Sequence, residues 1–96
     1  MRFNKSTKAS LDYTIDWTPY LEENEITSST WNIVTDTSND DVPLAIDKTK
    51  QSTVKTTVVL SGGRVGKEYT VENIIQYNKN DKNLQDRRIL LIRITE

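Results

Sequence analysis

Three stretches of the sequence carry residue types and spacings associated with chemistry. The first, Gly62-Gly63-Arg64-Val65-Gly66-Lys67, has the glycines and lysine of a phosphate-binding loop. Such a loop needs glycine where Ser61 stands and serine or threonine where Glu68 stands, and it must open a helix whose N–H groups face the phosphate. A strand pattern follows instead, so the segment reads as a glycine-bearing hairpin between strands. The second, Ser52-Thr53-Val54-Lys55, has the Ser-x-x-Lys spacing of a serine nucleophile beside a lysine. That pairing needs a helix to bring positions three apart together, whereas on a strand an odd spacing sends the two side chains to opposite faces. The third is an acidic loop with Asp36, Asn39, Asp40 and Asp41, whose oxygens suit calcium. Its spacing fits no dedicated calcium loop, and a solvated turn is the expected role.

Residue types missing from the chain narrow the chemistry further. Neither histidine nor cysteine occurs, which removes Ser-His-Asp and Cys-His catalysis, the usual zinc ligand sets and any disulfide. Paired carboxylates remain, but glycosidase work needs a cleft that a thin domain of 96 residues rarely provides. The net charge of -1 supplies no field toward nucleic acid or an anionic membrane. Arg87, Arg88 and Arg93, the one basic cluster, stand among acidic neighbours and read as a solvated strand face. Met1-Arg2-Phe3-Asn4-Lys5 lacks the apolar run of a secretory signal, and no later stretch approaches the length of a membrane-spanning helix. The expectation is a protein made in soluble form inside the cell, without enzymatic activity, cofactor or metal, and without nucleic-acid or membrane partners.

Apolar residues recur at every second position, the period of a strand with one buried face. Leu11, Tyr13, Ile15 and Trp17 alternate with Asp12, Thr14 and Asp16. Pro19 stops that run, and Tyr20-Leu21-Glu22-Glu23-Asn24 reads as a turn or one helical turn. Ile26 opens a second core strand with Trp31 and Ile33 on one face. After the polar loop, the segment 42–46 contains Pro43 and reads as a short edge strand. Val54, Thr56, Val58 and Leu60 alternate next, then Tyr69, Val71, Asn73, Ile75 and Tyr77, followed by a polar loop over residues 78–81. The last run, residues 89–94, is apolar on both faces. Either it is covered twice within the fold or its second face meets another chain.

With the segment around Phe3, this amounts to about seven short strands separated by turn signals. The pattern predicts one all-β domain over residues 1–96, an immunoglobulin-like antiparallel β-sandwich, with an open barrel as the structural rival. Tyr13, Trp17, Trp31 and Tyr69 are its predicted core, each in phase with the apolar face of its strand. Tyr69, near the start of its strand, has the position of a tyrosine corner.

Three blocks taken in order carry a resemblance over most of the chain. They are Asp12-Tyr13-x-x-Asp16-Trp17-x-x-Tyr20-Leu21, then Ile26-Thr27-Ser28-Ser29-Thr30-Trp31, then Leu60-Ser61-Gly62-Gly63-x-x-Gly66-x-x-Tyr69-Thr70-Val71-x-Asn73. Together they resemble small phage and prophage virion proteins of the fiber–tail adaptor type, which are immunoglobulin-like. Where such proteins often continue with a polar turn containing glycine and arginine and an Arg-Ser-Ile-type strand, this chain has no glycine between residues 78 and 86 and has Arg87-Arg88-Ile89. The resemblance implies a component of the virion, made in the host cytoplasm, that contacts other phage structural proteins at the tail, neck or fiber attachment site. It brings no catalytic residues.

An adaptor needs a rigid body and spare apolar surface or an unpaired strand edge. Ile89 or Leu91, with Val59 or Ile74, is expected to touch a neighbouring chain or the N-terminal segment. Copies of the chain itself are also candidate partners. Two alternatives remain at this stage, a head decoration protein and a carbohydrate-binding module for host surface sugar. Exposed aromatic side chains on one face favour the sugar binder, and buried tryptophans favour the assembly module.

Overall fold

The computed structural model describes residues 1–34 and 44–96. The acidic loop with Asp36, Asn39, Asp40 and Asp41, its candidate calcium role, and Pro43 lie outside the described residues. Seven strands and one helical turn are described: β1 (Arg2–Ser6), β2 (Leu11–Asp16), α1 (Thr18–Leu21), β3 (Ile26–Ile33), β4 (Leu44–Gln51), β5 (Lys55–Gly62), β6 (Glu68–Lys79) and β7 (Lys82–Thr95). They form two separate sheets, ordered β1-β7-β6-β3 and β2-β5-β4, which makes the protein an all-β sandwich and excludes the open barrel. Pairing is antiparallel except between β1 and β7, which run parallel with Arg2 beside Leu91 and Ser6 beside Thr95.

Period-two alternation explains the core. On β6, Tyr69, Val71, Asn73 and Ile75 all point inward and are fully buried, and on β7 Leu90, Ile92 and Ile94 do the same. Tyr13 and Ile15 on β2, and Val58 and Leu60 on β5, meet them from the other sheet in one hydrophobic cluster. Each such aliphatic side chain stabilises the fold by about 1.5–3 kcal/mol. The exposed ion pairs Arg87–Glu72 and Arg2–Glu68 contribute about 0–1 kcal/mol each, so the inner faces hold the sheets together. Trp17 and Tyr69 are wholly buried, Trp31 and Tyr13 nearly so. Leu11, in phase with Tyr13, is 39% exposed because it opens its strand at the margin of the sandwich.

Strand β2 ends where the Asp16 carboxylate accepts from the Thr18 N–H at 3.0 Å and its hydroxyl at 2.6 Å, and Pro19 then lies in the first turn of α1. Those two bonds hold the Asp16 carboxyl below its ordinary pKa.

Four segments differ from the sequence expectation. Residues 62–67 do not form a hairpin, since β5 and β6 belong to different sheets and the segment crosses between them. Gly63 is required there: its φ is +98°, and a Cβ would lie 2.6 Å from Ile94 Cδ1. The loop expected over residues 78–81 is shorter than read: Asn78 and Lys79 belong to β6, and Asn80 and Asp81, both in left-handed backbone (φ 51° and 64°), close a two-residue hairpin. As a result β7 starts at Lys82 instead of Ile89, and the long β6–β7 hairpin belongs to a molecule 46 Å in its longest dimension. The segment containing Leu44 and Ile46 extends to Gln51 as the edge strand β4, with a bulge between Ile46 and Lys48. Ser52 lies in the tight turn that precedes β5, and Lys55 is the first residue of that strand. The Ser52 hydroxyl accepts the Lys55 N–H at 3.0 Å, which gives it a structural partner.

Candidate protein interface

Strand register places three of the four predicted interface residues on one surface. On the outer face of the four-stranded sheet, Leu91 lies between Arg2 of β1 and Thr70 of β6. Ile89 lies opposite Glu72, and Ile74 lies between Arg87 and Thr30. Leu91 and Ile89 are two apart on β7, and Ile74 is the diagonal neighbour of Ile89, so the three form an oblique apolar stripe. Ile89 is 36% exposed; Ile74 and Leu91 are half-buried by their neighbours. The Arg87 guanidinium meets the Glu72 carboxylate at 3.3 Å beside the stripe, and Arg2 meets Glu68 at 3.9 Å toward its lower end. Charges therefore flank the apolar side chains and neutralise one another across the strands.

Val59 does not join this group. It lies on the outer face of the other sheet, between Asp12 of β2 and Lys48 of β4. Alternation along β5 reveals which face Val59 occupies, but which sheet owns β5 is set by chain topology. The N-terminal segment meets β7 along its edge and not on its outer side: the Leu91 N–H donates to the Met1 carbonyl at 2.8 Å, and β1 continues the sheet from there. Among the described residues no other strand is layered over the outer face of β7.

The face is held rigid from behind by buried polar groups that the sequence reading passed over. The Trp17 indole N–H donates to Thr56 Oγ1 at 3.0 Å and Asn73 Oδ1 at 3.1 Å, and the Thr56 hydroxyl donates to the same Asn73 oxygen at 2.6 Å. Asn73 Nδ2 donates to Ser29 Oγ at 2.9 Å and to the Thr30 carbonyl at 3.1 Å. One amide thus ties both sheets and β3 together, and it does so directly behind the strand positions Glu72 and Ile74. The signal was an asparagine and a threonine at apolar-phase positions. At the opposite end Lys5 is buried, its Nζ donating to the Ser6 and Gly62 carbonyls, both at 2.8 Å. Desolvation pushes its pKa below the ordinary value, against a smaller upward pull from Asp47. Tyr69 Oη accepts the Arg64 N–H at 3.1 Å, fixing the crossover between the sheets. Two buried donors, Tyr13 Oη and Trp31 Nε1, have no partner among the described residues, and burial raises the Tyr13 pKa.

Surface hollows offer less. One of about 450 Å³ is lined by Thr14, Lys50, Gln51, Ser52, Lys55 and Thr57, and another of about 290 Å³ lies between Met1, Ile15, Tyr20 and Arg88. In the latter the Arg88 guanidinium lies over the Tyr20 ring, 3.9 Å from its centre. No group of three or more carboxylates able to hold a metal ion is present among the described residues, and no helix among them is long and apolar enough to cross a membrane.

Fold and site together define a small all-β sandwich whose distinctive features are a hydrogen-bonded interior and a mixed apolar and charged outer sheet face. The family model described as podophage GP4 fiber-tail adaptor protein gp77 matches residues 5–92, and the chain belongs to that family. It is accordingly a phage tail structural protein and a component of the virion. No curated protein matches the chain, and no solved structure matches it either.

Proposed function

We propose that the chain is a non-enzymatic module at the tail, neck or fiber attachment site of the particle, and that it docks on other tail proteins through the outer face of its four-stranded sheet. The observation that carries this reading is the stripe of Ile74, Ile89 and Leu91 on a sheet that Asn73 braces from inside. A docking face works best when it is pre-organised, because less order has to be imposed on binding. The sugar-binding alternative calls for aromatic side chains aligned on one exposed face. Both tryptophans are buried, and the exposed Tyr20 and Phe3 project from different elements, which favours assembly.

Strand order supports the immunoglobulin-like class. The sheets β2-β5-β4 and β7-β6-β3 follow the B-E-D and G-F-C orders of that fold, with β1 moved onto β7. Trp31 then falls on the third strand, and Tyr69 is the corner tyrosine at the start of the sixth.

The test is a double variant, Ile89→Asp with Leu91→Asp, assayed with purified tail and fiber proteins encoded beside it and in assembled particles. The variant is expected to stay folded, with affinity for its tail partner reduced at least about tenfold and particles lacking the attached component. Undiminished binding by a folded double variant would sink the proposal.

A further inference from the structure

Several strand edges lack a hydrogen-bonded neighbour among the described residues: β1 and β3 in one sheet, β2 and β4 in the other, and residues 82–90 of β7, which lie beyond the end of β1. An open edge exposes a row of N–H and C=O groups, and proteins guard such rows with charge, bulges, proline or shortness. Most of these edges are guarded. β1 has five residues and carries Arg2 and Lys5; β2 carries Asp12 and Asp16. β4 carries Asp47, Lys48 and Lys50 along with its bulge, and residues 82–90 include Lys82, Asp86, Arg87 and Arg88.

β3 is built differently. Its sequence, ITSSTWNI, has no charge and no proline. After an irregularity between Ile26 and Ser28, residues 28–33 run in unbroken register against β6. Ser28, Thr30 and Asn32 alternate along its outer side, all exposed, and hydroxyls and amides of this kind pair well across strands.

We propose that β3 is a self-association edge, at which two copies join β3 to β3 antiparallel about a two-fold axis and extend the four-stranded sheet across the pair. Symmetry selects a second copy as the occupant. In an isologous strand pair, residues of one row face residues of the same row. On β2 that arrangement brings Asp12 and Asp16 toward each other, and on β4 it does so for Lys48 and Lys50. On β3 its outward row sets only hydroxyl and amide side chains, those of Ser28, Thr30 and Asn32, against one another. This contact is separate from the docking face, whose stripe lies on β6 and β7.

Sedimentation equilibrium across a concentration series, with hydrogen exchange read at residue level, tests the proposal. The wild type is expected to dimerise as concentration rises, with amides of residues 28–33 gaining protection and with little dependence on salt. Ser28→Lys with Thr30→Lys, and separately Ser28→Glu with Thr30→Glu, are surface changes that leave the core intact, and each is expected to weaken the dimer at least about tenfold. Mixing the two variants restores a heterodimer, now salt-sensitive. A wild type that stays monomeric up to millimolar concentration overturns the inference, as does protection that falls outside β3 or a dimer that survives both charge variants. The Ile89→Asp, Leu91→Asp variant still dimerises if the inference holds; loss of its dimer would instead put self-association on the docking face and leave β3 without a role.

Discussion

On the outer face of the four-stranded sheet, Ile74, Ile89 and Leu91 adjoin one another, with Glu72 and Arg87 paired beside them. On the outer face of the three-stranded sheet, Val59 stands between Asp12 and Lys48, and the neighbouring rows hold Thr14, Thr57 and Lys50. Both faces come from alternating strands of similar composition. What separates them is how many apolar outward positions the register brings side by side: a stripe can be buried as a unit by a partner, whereas an isolated valine ringed by charge cannot be covered without desolvating that charge.

Breaking the support shared by both faces gives the largest effect. Trp17→Ala removes the largest buried ring and two hydrogen bonds, and a loss of about 3–5 kcal/mol is expected in urea unfolding, enough to erase both faces together. Asn73→Ala leaves the Trp17 and Thr56 donors without their shared acceptor, at an expected cost of about 1–3 kcal/mol. Because Asn73 lies behind the stripe, this variant should also loosen hydrogen exchange on β3 and β6 more than on β2 and β4.

A matched pair of surface changes sharpens the comparison itself. Val59→Asp is expected to leave tail-protein binding unchanged, while Ile89→Asp lowers it, with both proteins unfolding within about 1 kcal/mol of wild type. Equal losses from both variants would mean that the two faces do not differ in function.

The smallest effect concerns Lys5. Desolvation lowers its folded pKa below the ordinary 10.5, so between those two values the unfolded chain binds more protons and stability rises with pH. Burial of Tyr13 acts in the opposite sense above 10.0, where the folded state retains a proton that the unfolded chain loses. Lys5→Met keeps Tyr13 intact. Wild type should therefore gain stability relative to Lys5→Met as pH rises toward 10.5, a difference read from paired denaturation curves.

Tyr13, Trp17, Trp31 and Tyr69 could be named as core from the sequence because each sits in phase with its strand's apolar positions, and phase is local. Lys5 could not be found this way. A lysine near a chain terminus reads as solvated, and only the arrival of the Gly62 carbonyl on the far side of the sandwich gives its ammonium a buried partner. The crossover at residues 62–67 was misread for a related reason, since glycines mark a turn without saying whether the next strand returns to the same sheet. The turn at Asn80-Asp81 falls inside the polar loop expected at residues 78–81, but the arm beyond it, residues 82–88, was not legible as strand because it is largely polar and gives no alternation to follow.

Strand number, the side of each strand that turns inward and the absence of histidine and cysteine chemistry were settled along the chain, since each depends on neighbouring residues or on composition. The grouping of Ile74 with Ile89 and Leu91, the exile of Val59, the Trp17–Thr56–Asn73 knot and the uncharged position of β3 at an edge were decided by how distant strands pair. Pairing register and sheet membership are fixed by the lowest free energy of the whole packed assembly, and no local pattern encodes them.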